Sequence, residues 1–159
     1  MRLELANVDT DIDLLSISKL PTLTAICQET MRLNPVVFSS FGRFLKQPIS
    51  LLGETIPAGT MLLPSIYLAH QQPDCFPDPK AFKPERFLTR SYGPYEYFPF
   101  GGGARRCLGY AFAQFEIKIV LATLLKTFDL ELISTHALKP TRRGINLMPG
   151  GGVPMRIKS

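Results

Sequence analysis

The run Phe100-Gly101-Gly102-Gly103-Ala104-Arg105-Arg106-Cys107-Leu108-Gly109 leads directly into an apolar stretch ending near Phe128. It constrains the fold more than any other segment. Consecutive glycines demand a turn, two arginines follow, and a thiol stands where a long helix must start. Glycine's conformational freedom lets backbone approach a flat ligand closely and aim N–H groups at sulfur. Cys107 is the last of three cysteines, and neither Cys27 nor Cys75 stands at a spacing that makes a zinc site or a CxxC redox pair. A phosphate-binding loop is excluded because no Gly-x-x-x-x-Gly-Lys-Ser/Thr occurs.

On these residues alone two readings stand. One is a surface turn with a buried structural cysteine; the other is an axial thiolate for a haem iron. The run resembles the haem-ligand loop of the cytochrome P450 family, Phe-x-x-Gly-x-Arg-x-Cys-x-Gly, with Phe100, Gly103, Arg105, Cys107 and Gly109 at its fixed positions. The resemblance implies haem b (iron protoporphyrin IX) with Cys107 as its iron ligand. It implies that Arg105 binds a haem propionate, a task suited to a guanidinium, and that Phe100, Gly103 and Gly109 shape the cofactor site. Arg43 stands where the family often has a second propionate ligand.

Glu29 and Arg32 share a helix face at i and i+3, by itself an ordinary ion pair. Pro84-Glu85-Arg86-Phe87 matches a second family element. The resemblance then implies that Glu29, Arg32 and Arg86 form a buried charge network tethering a long meander to the helix. One carboxylate between two guanidiniums can be fully hydrogen-bonded, the condition for tolerating buried charge. Val36, Val37 and Phe38 correspond to a stretch lining the distal pocket of relatives, and their apolar character implies a lipophilic substrate. His70 falls where the family position is structural, and His136 carries no signal. Arg142 and Arg143 lie in a segment read as a solvated loop.

The expected fold class is α+β, the C-terminal portion of the mainly α P450 fold. A chain of 159 residues is long enough for one core. Residues 1–19 read as a polar, irregular linker; Asp9, Asp11 and Asp13 alternate as in a calcium loop, but Leu14 stands where that loop needs glycine. Residues 20–159 read as an incomplete haem-thiolate domain. A helix starts at Leu20-Pro21, with proline at a tolerated first-turn position, and ends at Asn34-Pro35. Ile49–Leu52 and Met61–Leu63 flank turn residues as a hairpin would, and Ile66–Gln71 reads as a short helix. A proline-rich meander spans Pro73–Phe100, a second long helix Gly109–Phe128, and terminal strands Phe128–Ile133 and Ile145–Ile157.

The net charge of +5 comes from scattered Lys and Arg, which argues against nucleic acid. An acidic electron-transfer protein such as a ferredoxin is the partner it suggests, with Arg105, Arg106, Lys118 and Lys126 near the cysteine loop. The odd cysteine count argues for a reducing compartment, and no membrane span or signal peptide is legible, so the expected location is cytoplasmic.

The resemblance points most closely to bacterial P450s that hydroxylate fatty acids or terpenoids. It implies a monooxygenase that uses O₂ and electrons from a redox partner. The family's oxygen-activating helix signature is not found in this sequence. Two alternatives therefore stand beside the monooxygenase: a truncated, non-enzymatic remnant with weak or no haem binding, and an O₂-independent peroxide isomerase. The second long helix is apolar nearly all round, which expects burial on several sides. Exposing four such side chains forfeits roughly 6–12 kcal/mol at about 1.5–3 each, so the isolated chain is expected to be unstable, to aggregate, or to need a partner supplying an N-terminal half.

Overall fold

The structure, a computed structural model, describes Leu5, residues 14–133 and residues 139–158. Asp9, Asp11, Asp13 and His136 lie outside the described residues. Among the described residues, three short helices and two long ones carry the fold: α1 (Leu14–Ile17), α2 (Pro21–Leu33), α3 (Ile66–Ala69), α4 (Arg86–Thr89) and α5 (Tyr110–Thr127). Eight short strands make four separate two-stranded sheets. They are β1 (Arg43–Phe44), β2 (Ile49–Leu51), β3 (Glu54–Ile56), β4 (Met61–Leu62), β5 (Leu130–Leu132), β6 (Pro140–Arg143), β7 (Asn146–Pro149) and β8 (Met155–Ile157). This is the expected mixture of helices and small sheets.

Helix α2 sets the frame. Pro21 occupies its first turn, and the Asn34 N–H closes its end on the Thr30 carbonyl before Pro35. Leu23 and Cys27, one turn apart, form a core cluster with Leu5 and Ala122 of α5, with Ile17, Leu20, Leu121 and Leu125 packed against it. Leu121, Ala122 and Leu125 recur at helical spacing, so one stripe of α5 lies on α2. The opposite stripe is bare: Phe112, Val120 and Leu124 are 68%, 51% and 41% exposed. One side of α5 is thus covered by this chain, so the burial on several sides that the all-round apolar pattern expects is met on that side alone.

Three readings of the sequence are corrected. The polar linker contributes to the core, because Leu5 is buried and α1 rests against α5. The strand of Ile49–Leu51 does not pair with Met61–Leu62. It pairs with Glu54–Ile56 across a two-residue turn in which Leu52 and Gly53 have φ of 53° and 85°. Two successive positive φ values are the geometry whose twist matches paired strands, and it leaves Leu52 fully outside at 97% exposure. Met61–Leu62 closes instead on Arg43–Phe44. Finally, the segment holding Arg142 and Arg143 is not a loop. It is strand β6, which forms a hairpin with β7 around Gly144 at φ 62°. The proline-rich meander also contains one helical turn, α4, that the sequence pattern does not announce.

Candidate functional site

The scaffold of the site is a buried charge cluster. Arg32 and Glu29 are both 0% exposed, and Arg32 donates to the Glu29 carboxylate through Nε at 2.7 Å and Nη2 at 2.9 Å. Arg86 Nε donates to Glu29 Oε1 at 3.3 Å. The three residues expected to form a network therefore converge, across 57 positions of chain. A partner the sequence did not reveal is the Lys83 backbone N–H, which donates to Glu29 Oε1 at 2.8 Å. The arginines spend their remaining donors on carbonyls: Arg32 on His70 at 2.8 Å and Ala81 at 3.2 Å, Arg86 on Pro77 at 3.2 Å. All of these carbonyls lie in the meander or at its entrance. Buried charge is tolerated because almost every lone pair and proton is satisfied.

An aromatic stack continues the tether. Phe76 is fully buried beneath the Arg32 guanidinium, 5.2 Å from its carbon, and stacks on Tyr92 at 4.6 Å. Phe87 bridges Tyr92 and Tyr97, and the Tyr97 hydroxyl donates to the Gln28 carbonyl of α2 at 3.1 Å. Burial pushes the Tyr97 phenol well above its usual range, so it remains a donor. His70 stands at 0% exposure among these rings. Burial, and then the Arg32 cation, lower its pKa from 6.5 to about 4.

That shift makes a prediction. The folded state holds His70 neutral while the unfolded chain binds a proton below pH 6.5, so stability is full above 6.5 and falls with acid until pH about 4. The difference amounts to roughly 3 kcal/mol. Asp78, held low by the Lys83 hydrogen bond, and Glu96, held low by the Gly93 N–H, add their own losses only near and below their ordinary values of 3.8 and 4.5. Urea unfolding at pH 7 and 5 should therefore show a drop in stability that His70→Gln removes. An unchanged drop in that variant would assign the effect to other groups.

The cysteine loop follows the meander. Gly101 and Gly103 have φ of 73° and 62°, conformations that side chains other than glycine rarely adopt. Gly103–Arg105 forms a single 3₁₀ turn. The Cys107 N–H donates to the Phe100 carbonyl at 2.9 Å, which closes the loop, and Tyr110 begins α5 three residues later. Gly109 caps that helix with no side-chain bond. A Cβ at Gly109 would lie 4.0 Å from Cys107 Sγ, an ordinary van der Waals contact, so Gly109 sits directly beside the sulfur. Cys107 is exposed, whereas Cys27 is buried in the core. The reading of Cys107 as a buried structural thiol is thus overturned.

Other expected residues fall around this centre. Arg105 is exposed on the 3₁₀ turn, and Arg106 lies over the Tyr110 ring at 3.5 Å. Arg43 is exposed on β1 and donates only to the Phe41 and Gly42 carbonyls, at 3.5 and 3.1 Å. Val36 and Phe38 are 55% and 40% exposed and Val37 is half-buried; the Val36 carbonyl accepts the Leu147 N–H at 2.6 Å, so β7 flanks this stretch. Lys118 does not join the basic group near the loop, because its ammonium donates to the Ser18 carbonyl at 2.9 Å.

The donor set fits haem. Among the described residues no group of three or more His, Cys, Asp or Glu gathers as a metal site, so Cys107 offers a single soft sulfur. A porphyrin supplies four nitrogens and needs one such axial ligand from protein.

Among the described residues no helix is long and apolar enough to cross a membrane. A Mycobacterium tuberculosis protein named putative cytochrome P450 135B1 is 36% identical over 137 residues, which is 86% of this chain and 29% of the relative. Cytochrome P450 monooxygenase asqL of Emericella nidulans is 41% identical over 126 residues, 77% of this chain and 26% of its own length. Among solved structures, cyanobacterial CYP120A1 with bound retinoic acid superposes at a TM-score of 0.89 and 30% identity, over 99% of this chain and 37% of that one. The chain thus spans about a third of the proteins it resembles. The family model described as cytochrome P450 matches residues 4–152, and with this fold and this cysteine loop the chain belongs to the cytochrome P450 family.

Proposed function

We propose that the chain is the C-terminal, ligand-bearing part of a haem-thiolate monooxygenase that hydroxylates a lipophilic small molecule. The observation that carries this reading is an exposed Cys107 in a positive-φ glycine loop, hydrogen-bonded to Phe100 and mounted on a buried Glu29–Arg32–Arg86 cluster. Haem, when bound, supplies activation of O₂ and insertion of one oxygen atom into an apolar C–H bond, a chemistry the thiolate assists.

The chain's own residues do the rest. Cys107 would hold the iron through its sulfur. Arg105 and Arg43 would pair with the propionates, Arg43 by giving up weak bonds to its own neighbours. Val36, Val37 and Phe38 offer an apolar wall, and the retinoic acid held by the cyanobacterial relative supports a lipophilic substrate. Arg105 and Arg106 immediately precede Cys107, and an acidic electron-transfer protein would dock on this basic loop. Cytoplasmic location fits such a partner.

The test is spectroscopic. Haem is added to the protein, reduced, and exposed to carbon monoxide. A strongly red-shifted Soret band is expected from an intact sulfur–iron bond. A short-wavelength band, or none, would sink this reading and favour a non-enzymatic remnant. If the band appears, turnover with peroxide but not with O₂ and electrons would favour the isomerase.

A further inference from the structure

One buried group plays no part in that scheme. The His70 ring is boxed by Tyr97, stacked at 5.2 Å and 22°, and by the edges of Phe98 and Phe76 at 5.4 and 6.1 Å. Its Nε2 accepts the Phe98 N–H at 3.0 Å. The proton of the neutral ring then sits on Nδ1, which is buried with no hydrogen-bond partner among the described residues. An orphaned buried donor is costly, and an apolar ring would fill the same space without that cost. The imidazole is therefore explained by its other nitrogen.

That nitrogen lies on a continuous path. The His70 carbonyl accepts Arg32 Nη1 at 2.8 Å, so the charge cluster holds the residue from one side. On the other side, the Phe98 carbonyl accepts the Gly101 N–H and the Phe100 carbonyl accepts the Cys107 N–H, both at 2.9 Å. From the Glu29 carboxylate to the Cys107 amide, each link is a hydrogen bond or a few covalent bonds. We propose that His70 is the positioning residue that fixes the entrance of the Cys107 loop, through the hydrogen bond its Nε2 accepts from Phe98. It aims the sulfur; it touches neither iron nor substrate. In its consequence for the ligand, this inference rests on the reading of Cys107 as the haem thiolate.

Two variants separate the acceptor from the ring. Glutamine at position 70 presents an amide oxygen near the place of Nε2, whereas leucine fills space only. In haem-loaded protein, His70→Gln should keep the red-shifted ferrous–CO band and the slow amide exchange of Phe98 and Cys107. His70→Leu should speed exchange at both amides by about tenfold or more and move part of the CO band to shorter wavelength. Equal behaviour of the two variants, whether both intact or both lost, would overturn the proposal by assigning His70 to packing alone. A measurement on the unaltered protein guards against misfolding of the leucine variant: ¹⁵N NMR should find Nε2 unprotonated and coupled to the Phe98 amide. A proton on Nε2 would overturn the proposal outright. Failure of the thiolate reading itself would show differently, as no red-shifted band in the unaltered protein.

Discussion

Replacing Cys107 with serine is expected to remove the red-shifted ferrous–CO band completely while leaving the polypeptide as stable as before. The two halves of that expectation come from different observations. The thiol is exposed, and loop closure runs through the Cys107 backbone N–H to Phe100. Exchanging sulfur for oxygen there should change unfolding free energy by no more than about 0.5 kcal/mol. Ligation, by contrast, depends on sulfur being soft and anionic, and a serine hydroxyl at neutral pH is neither. Cys27→Ser gives the complementary result. That side chain is 2% exposed in the apolar cluster with Leu23 and Ala122, and burial holds its thiol above the ordinary range. A hydroxyl there should cost about 1–3 kcal/mol and leave the CO band in place. Absorption spectra and urea titrations of the two variants check both statements. A Cys107→Ser protein with an unaltered haem spectrum would end the assignment of Cys107.

The same contrast shows what a reader of the sequence can and cannot recover. The Glu29–Arg32–Arg86 cluster was legible through the family resemblance, whose two elements keep those atoms in a fixed order, whereas the i, i+3 spacing of Glu29 and Arg32 alone announced an ordinary ion pair. The helices α2 and α5 were legible to within a residue or two, since proline, asparagine and glycine mark their ends. Strand partners were not. Ile49–Leu51 has two candidate mates of similar apolar character, and the choice falls on the torsions of Leu52 and Gly53. Only the glycine announced that turn. Lys83 was invisible for a different reason: its contribution to Glu29 is a backbone N–H, which every non-proline residue carries. Likewise, Lys118 was read as a surface charge, because nothing in the sequence says that the chain after α1 folds its Ser18 carbonyl over that ammonium.

The largest loss of stability is expected from Glu29→Ala. Removing the carboxylate leaves Arg32 at 0% side-chain exposure and Arg86 at 8% with no counter-charge, and strands the Lys83 N–H. Breaking a buried pair from one side costs about 3–5 kcal/mol, a large share of the roughly 5–15 kcal/mol that holds a typical domain together. Arg86→Ala should cost less than Arg32→Ala. Arg86 meets Glu29 through one bond at 3.3 Å, while Arg32 meets it through two at 2.7 and 2.9 Å. Urea unfolding midpoints should therefore fall in the order Arg86→Ala, Arg32→Ala, Glu29→Ala, with proteolysis within residues 73–100 rising in step. A reversed order would mean that the meander, not α2, carries the cluster. Elsewhere a buried ion pair can be exchanged for apolar side chains at little cost, since the charges serve only one another. Here that exchange must fail. The guanidiniums also hold the carbonyls of His70, Ala81 and Pro77, and an apolar triplet of equal volume would leave those carbonyls without their donors. The charge is retained because it organises backbone that has no sheet or helix to organise it.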